Sequence, residues 1–124
     1  QFVSLPHWES SDARAAAHDL VDSGIDFDGA FCMTDTIAIG FVRGLADRGL
    51  RVPDDVAVIG FDGIRECEDY IPSLSTVATD LNDLAAKAMR LLLDRLDEDG
   101  KGTPLPARTL TADFRLIARE STRR

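Results

Sequence analysis

Three polar stretches of the 124-residue sequence each follow a short apolar run: His7-Trp8, Thr34-Asp35 and Asp62. If these runs are parallel strands, their carboxyl ends meet at one edge of a sheet, where the ligands of open α/β sheets bind. An indole stacks on the apolar face of a polar ring, and carboxylates accept hydrogen bonds from its hydroxyl or amine groups. The sequence therefore predicts a site for a sugar or a nucleobase, with Asp62 as the leading ligand contact.

Each of these residues also has a purely structural interpretation. Trp8 can be a partly buried core residue, and Thr34 or Asp35 can cap a helix. Asp62 stands before Gly63, and Asp-Gly is a common turn pair. Taken singly, the residues favour the structural roles. Taken together, their position at one predicted edge favours a ligand site.

The residue types give little support to catalysis or to a metal site. Neither of the two histidines belongs to a nucleophile motif, and His18 is predicted on the solvent side of a helix. Asp35 and Asp62 could still act as acid and base in a small hydrolase. Cys32 and Cys67 lack the spacing of a metal site and are predicted to be reduced thiols, with a disulfide as the alternative. We expect that the chain is not an enzyme and that it binds neither a cofactor nor a metal.

Composition narrows the class of partner. The chain is 44% hydrophobic and 29% charged, which is typical of one globular domain. Its formal net charge of -8 argues against direct contact with a phosphate backbone, which requires a basic surface. No apolar run approaches the roughly 20 residues of a membrane span, and no signal-peptide pattern opens the chain. The expected partner is a small neutral molecule, and the expected location is cytoplasmic.

The spacing of apolar residues predicts an alternation of strands and helices in the first half of the chain. The predicted elements are a strand at 2–5, a helix from Ser10 or Ser11 to Gly24, a strand at 30–33, a helix at 36–48 and a strand at 56–61. This order indicates the α/β class, with a parallel sheet and flanking helices. The last strand is apolar without alternation, which is typical of a strand covered on both faces.

The predicted helix at 36–48 is apolar around most of its circumference. Such a helix needs a cover on two sides, one from its own sheet and one from another lobe or subunit. The alternative is a helix buried within a single larger domain.

The second half of the chain is predicted to contain fewer strands than the first half. A polar loop after Asp62 leads to a short extended segment at 75–78. Asp80 can cap a third helix that carries an apolar stripe from Leu81 to Leu96, and Gly100 and Gly102 end it. Residues 108–118 are predicted to form two short strands interrupted near Asp113.

Four stretches together cover much of the chain in a recognisable order. They are FCMTDTIAIG at 31–40, GLRVPDDVAVIGFD at 49–62, YIPSLSTV at 70–77 and RLIAREST at 115–122. They resemble the effector-binding core of the LacI/GalR family of bacterial transcriptional repressors. That resemblance implies part of a type I periplasmic-binding-protein-like fold, whose two lobes close on a small molecule.

The resemblance also implies a division of the chain. Residues 1–74 would belong to the C-terminal lobe, 75–112 would supply a crossover helix and strand of the N-terminal lobe, and 113–124 would return to the C-terminal lobe and end in a tail. The helix-turn-helix of the family is absent from this chain. Operator DNA would therefore be bound only through that absent N-terminal region, and the protein would form a homodimer through the C-terminal lobe.

Carried over by position, the resemblance implies five ligand-binding residues: Trp8, Thr34, Asp62, Thr79 and Leu81. Trp8 would stack on the effector, and Thr34 and Asp62 would contact its polar groups. Ile39 and Tyr70 would lie in the dimer interface. Thr34 differs from the asparagine often found at its position, so the resemblance does not specify the effector.

Three hypotheses follow. The first is the effector-sensing and dimerisation portion of a LacI/GalR-type regulator, in which a sugar or a nucleobase-like molecule alters operator binding. The second is a periplasmic solute-binding protein without a DNA-binding arm. The third is the hydrolase that uses Asp35 and Asp62, although the resemblance assigns Asp35 a structural role.

Overall fold

The computed structural model describes residues 2–100 and 106–123. Its helices are α1 (Ser10–Asp22), α2 (Asp35–Asp47), α3 (Glu66–Asp69) and α4 (Leu81–Gly100), with a 3₁₀ helix at Glu120–Thr122. Its strands are β1 (Gly29–Phe31), β2 (Ala57–Asp62), β3 (Ser75–Thr79) and β4 (Phe114–Ile117). They form one sheet in the order β1-β2-β3-β4, in which β2 pairs in parallel with both β1 and β3. The predicted α/β class with a parallel sheet and flanking helices is confirmed.

The chain divides into two compact units. The first unit contains Gln1–Ala78 and Leu116–Arg124, and the second contains Thr79–Arg115. All of the fully buried apolar residues that form the core belong to the first unit. Among the described residues, no helix is both long and apolar enough to cross a bilayer.

The first unit covers α2 with its own residues. A Cβ atom on Gly40 would collide with the backbone of Ser10, and one on Gly44 would collide with the backbone of Arg14. These two glycines therefore allow α1 to lie directly against α2, and the matching order of the contacts shows that the two helices run parallel. The sequence left the second cover of α2 open between another lobe or subunit and the rest of a single larger domain. Among the described residues, α1 supplies a cover within the same unit, while Ile39 stays half-buried.

Charged side chains join the outer surfaces of α1 and α2. Asp47 accepts hydrogen bonds from Arg14 and, at 3.0 Å, from Arg43. It also pairs with the ring of His18 at 3.0 Å. The hydrogen bond from Arg14 is the largest of the effects that lower the pKa of Asp47 to about 2. The sequence predicted His18 on the solvent side of its helix, and the structure places it half-buried in this contact between the two helices.

The sheet is covered more completely on one face than on the other. Val58 and Gly60 of β2 are buried, whereas Ile59 and Phe61 between them are only half-buried. Phe31, which pairs with Ile59, is 57% exposed. β2 is therefore covered more completely on the face of Val58 and Gly60 than on the face of Ile59 and Phe61, so the predicted cover of both faces is incomplete among the described residues.

Several predicted boundaries differ from those of the structure. Residues 2–5 form no strand, and α3 lies within the segment predicted as a loop. Residues 108–113 are not a strand, so β4 replaces the two strands predicted at 108–118. The third predicted helix, α4, reaches Gly100, while Gly102 lies outside the described residues.

In the second unit, the polar face of α4 makes the contacts. The Lys87 ammonium donates to Asp83 at 2.6 Å and to the carbonyl of Thr111 at 2.9 Å, and the Asp113 amide donates to Asp83 at 2.9 Å. The predicted apolar stripe is exposed in the described chain. Its exposed residues include Leu81, Leu84, Met89, Leu92 and Leu96. The helix therefore presents an uncovered apolar surface.

Candidate functional site

Thr34 lies in the short segment between β1 and α2, and it caps α2. Its hydroxyl oxygen accepts a hydrogen bond from the Ile37 amide at 3.2 Å, and the side chain is half-buried. Threonine satisfies an otherwise unpaired helix amide in this way. The capping role expected as a structural alternative is thus observed. The hydroxyl proton of Thr34 is still available to a ligand, because the cap uses only the oxygen as an acceptor.

Asp35, the first residue of α2, has a fully buried side chain. One of its carboxylate oxygens, Oδ2, accepts hydrogen bonds from the amides of Gly63 at 2.7 Å and Ile64 at 2.9 Å. These amides lie immediately after β2. Asp35 therefore ties the end of β1 to the end of β2, which places two of the three predicted strand ends next to each other.

Asp62 is the last residue of β2, and it is exposed. Its backbone has a φ of +111°, which is unusual for a residue other than glycine. Partial loss of hydration, followed by the negative charge of Asp35, raises the pKa of Asp62. An exposed carboxylate on a constrained backbone is suited to bind a ligand, since strained backbone positions cluster at functional sites.

Trp8 lies in the segment that leads into α1. It is 66% exposed, so it is not the core residue of the structural alternative. Because α1 and α2 run parallel, with Ser10 against Gly40, the segments that precede the two helices lie at the same end of the pair. Trp8 and Thr34 therefore share one end of the first unit, although residues 2–5 form no strand there.

The remaining predicted pocket residues stand at the start of the second unit. Thr79 is the last residue of β3 and is half-buried, and Leu81 is the first residue of α4 and is 68% exposed. Between them, the Asp80 carboxylate accepts hydrogen bonds from the amides of Asn82 and Asp83, both at 3.0 Å. The predicted cap of α4 is thereby confirmed.

The two residues predicted at a dimer interface contact each other. The hydroxyl of Tyr70 donates to the carbonyl oxygen of Ile39 at 3.2 Å, and both residues are half-buried. Burial also raises the pKa of Tyr70. The pair leaves part of both side chains accessible on the α2 side of the first unit.

Comparison with known proteins identifies the family. The sequence model of the periplasmic binding protein-like domain matches residues 3–122. The chain belongs to this family. The periplasmic binding protein-like chain is 31% identical over 112 residues to the ribose operon repressor of Halalkalibacterium halodurans. This alignment covers 90% of the chain but only 33% of the repressor.

Solved structures similar to this periplasmic binding protein-like chain include LacI-type regulators. A LacI-family regulator from Sanguibacter keddieii superimposes with a TM-score of 0.87 at 36% identity, over 96% of the chain and 43% of the regulator. A LacI-family regulator from Arthrobacter, in complex with lactose, has a TM-score of 0.78 at 38% identity, over 94% of the chain and 42% of the regulator. The resemblance to the LacI family that the sequence motifs indicated is confirmed.

The relatives of this periplasmic binding protein-like chain are regulators, not enzymes. The hydrolase hypothesis also has a physical difficulty. Proton transfer needs access to substrate, but the carboxylate of Asp35 is fully buried and already accepts two amide hydrogen bonds. Asp35 and Asp62 are therefore not an acid and base pair.

Sequence reasoning missed one member of the buried group around Asp35. Cys67 of α3 is fully buried, and burial, followed by the nearby Asp35 carboxylate, raises the pKa of its thiol to about 12. Burial likewise raises the pKa of Cys32 to about 12. Both cysteines are free thiols, as the sequence predicted. No spacing in the sequence could have indicated that Cys67 approaches Asp35, because the contact depends on how α3 folds back.

Proposed function

We propose that this chain forms part of the effector-binding site of a LacI-type transcriptional regulator, and that the effector is a small molecule of the sugar class. The observation that carries the proposal is the carboxylate of Asp62, which is exposed at the end of β2 while the adjoining backbone is held by Asp35. The lactose complex of the Arthrobacter regulator supports the sugar class.

The chemistry of the strand ends fits a sugar. The ionised Asp62 accepts hydrogen bonds from sugar hydroxyl groups, and the Thr34 hydroxyl donates one. The exposed indole of Trp8 supplies an apolar face for the C–H side of the ring. We also assign Thr79 and Leu81 to effector binding, as the resemblance to the LacI family implies. A nucleobase would use the same acceptor and the same stacking surface, so it is the alternative effector.

The proposed regulation follows from a shift between open and closed lobes. An effector that binds the closed form more tightly moves the equilibrium toward it, and thereby changes the geometry of a DNA-binding dimer. We place the contact between the two protomers at Ile39 and Tyr70. The net charge of -8 supports a DNA contact made outside this chain. Such a regulator would work in the cytoplasm.

Isothermal titration calorimetry tests the proposal on the longest natural polypeptide that contains these 124 residues. D-ribose, lactose, cellobiose and adenine are titrated into the wild-type protein and into the variant Asp62→Asn. We expect one of the sugars to bind, and the variant to bind it about tenfold or more weakly, since a hydrogen bond to a charged group is worth roughly 1.5–3 kcal/mol.

The matched control is Asp26→Asn, which removes an exposed aspartate in the loop before β1. This variant is expected to bind the sugar as the wild type does. Binding of adenine alone would select the nucleobase alternative. Binding without any effect on the affinity for operator DNA would favour a solute-binding protein. No heat with any of the four compounds would reject the proposal.

A further inference from the structure

The backbone around Asp62 is enclosed on both sides. A Cβ atom on Gly60 would collide with the Oδ1 oxygen of Asp35, and a Cβ atom on Gly63 would lie 2.5 Å from the Cβ of Ala78. Gly63 also has a φ of +80°, which glycine adopts without strain. The residues that flank Asp62 therefore have little freedom to move.

Asp35 supplies the polar part of this enclosure. Its Oδ2 oxygen accepts from both amides that follow Asp62, those of Gly63 and Ile64. A carboxylate binds two amides more strongly than a neutral acceptor does. The second oxygen, Oδ1, is buried and accepts no hydrogen bond among the described residues. A buried charge with an unsatisfied oxygen is costly to a fold, and the two amide hydrogen bonds at Oδ2 offset that cost.

Asp35 cannot itself contact a ligand, because its side chain is fully buried. It can act on a ligand only through a neighbour. The neighbour is Asp62, whose peptide linkage to Gly63 ends in an amide bound to Asp35. The negative charge of Asp35 also contributes to the raised pKa of Asp62.

We propose that Asp35 is a positioning residue for the effector site: its buried carboxylate holds the 63–64 turn and so fixes the direction in which Asp62 presents its carboxylate. The inference rests on the proposed function of Asp62 as an effector contact. Holding an acceptor in its bound direction before the ligand arrives reduces the entropy lost on binding. Asp35 thus raises affinity without touching the effector.

Nuclear magnetic resonance of the ligand-free protein tests the first half of this inference. In the wild type, the amide protons of Gly63 and Ile64 are expected at low field, as donors to a carboxylate. In Asp35→Asn both should move upfield, and the ¹³C titration of the Asp62 carboxyl should shift to lower pH. Wild-type amide protons without a low-field position would overturn the inference, even if the variant failed to fold.

The matched control is Ser121→Ala. Ser121 is also fully buried, and its hydroxyl donates to the Val58 carbonyl at 2.7 Å and accepts from the Ser75 amide at 2.8 Å. Its loss should lower the free energy of unfolding without changing the titration of Asp62. If both variants left that titration at its wild-type position, Asp35 would have only a structural role.

A double-mutant cycle with the sugar that binds in calorimetry tests the second half. Asp35→Asn should weaken binding about tenfold in the wild-type background, and less than about twofold in an Asp62→Asn background, because residues that act together are not additive. Equal losses in both backgrounds would overturn the inference. If no sugar binds the wild type, the proposed function fails, whereas the measurements on the free protein still decide whether Asp35 positions Asp62.

Discussion

The helices α2 and α4 are both rich in large apolar residues, yet the chain covers only one of them. In α2, Ile37, Phe41 and Leu45 are buried in the core of the first unit. In α4, Leu92 is 52% exposed and Leu96 is 61% exposed. The comparison teaches that an apolar stripe shows which face of a helix requires a cover. It does not show whether the same chain supplies that cover.

The largest expected effect comes from removing the same side chain from both helices. Leu45→Ala should lower the free energy of unfolding by about 2–5 kcal/mol, because Leu45 is fully buried and leaves a cavity. Leu92→Ala should change it by less than about 0.5 kcal/mol, since this side chain is half solvated. Urea denaturation of both variants measures the difference. Equal losses of unfolding free energy in the two variants would show that α4 is covered in solution. The two helices would then not differ in their cover.

A second substitution tests the close approach of α1 to α2. Gly40→Ala should lower the free energy of unfolding by about 1–3 kcal/mol, because the added methyl group meets the backbone of Ser10. Gly29→Ala is the control, since its Cβ would lie 3.8 Å from the nearest atom, an ordinary contact. A stable Gly40→Ala protein would mean that α1 lies farther from α2 than described.

The smallest expected effect is electrostatic. The pKa of Asp47 is lowered to about 2 from 3.8, first by the hydrogen bond from Arg14. The ionised carboxylate therefore stabilises the fold above pH 3.8, and this contribution is lost as the pH falls toward 2. Thermal unfolding between pH 5 and about pH 2 should show a shallower acid loss for Asp47→Asn than for the wild type. An identical slope would show that Asp47 does not stabilise the contact between α1 and α2.

Much of the first unit could be predicted because its signals are local. Thr34 and Asp35 before an apolar run, and Gly49 after it, predicted α2 to within one residue. The cover of α2 could not be predicted, because Gly40 and Gly44 reveal a close contact only when the partner helix is known. The apolar stripe of α4 followed from the spacing of its residues, and the described part of the chain leaves that stripe exposed.

The candidate site divides in a similar way. The exposed carboxylate of Asp62 at a strand end followed from the apolar run before it and from the rule for parallel sheets. The bond from Asp35 to the amides of Gly63 and Ile64 did not follow, because it joins residues 28 and 29 positions apart. Thr34 both caps α2 and lies at the predicted ligand edge, so its two interpretations are compatible.

The most direct test of the role of Asp62 is the pH dependence of sugar affinity, measured by calorimetry from pH 7 down to about pH 4 for the wild type and Asp62→Asn. Because the pKa of Asp62 is raised, its carboxylate becomes protonated at a higher pH than that of an ordinary aspartate. The neutral carboxyl group then loses the charge-assisted hydrogen bonds with the sugar. We predict that wild-type affinity falls as the pH is lowered, and that the variant binds weakly at every pH without this fall. Equal affinities and parallel pH profiles for the two proteins would contradict the assignment of Asp62 to the effector site.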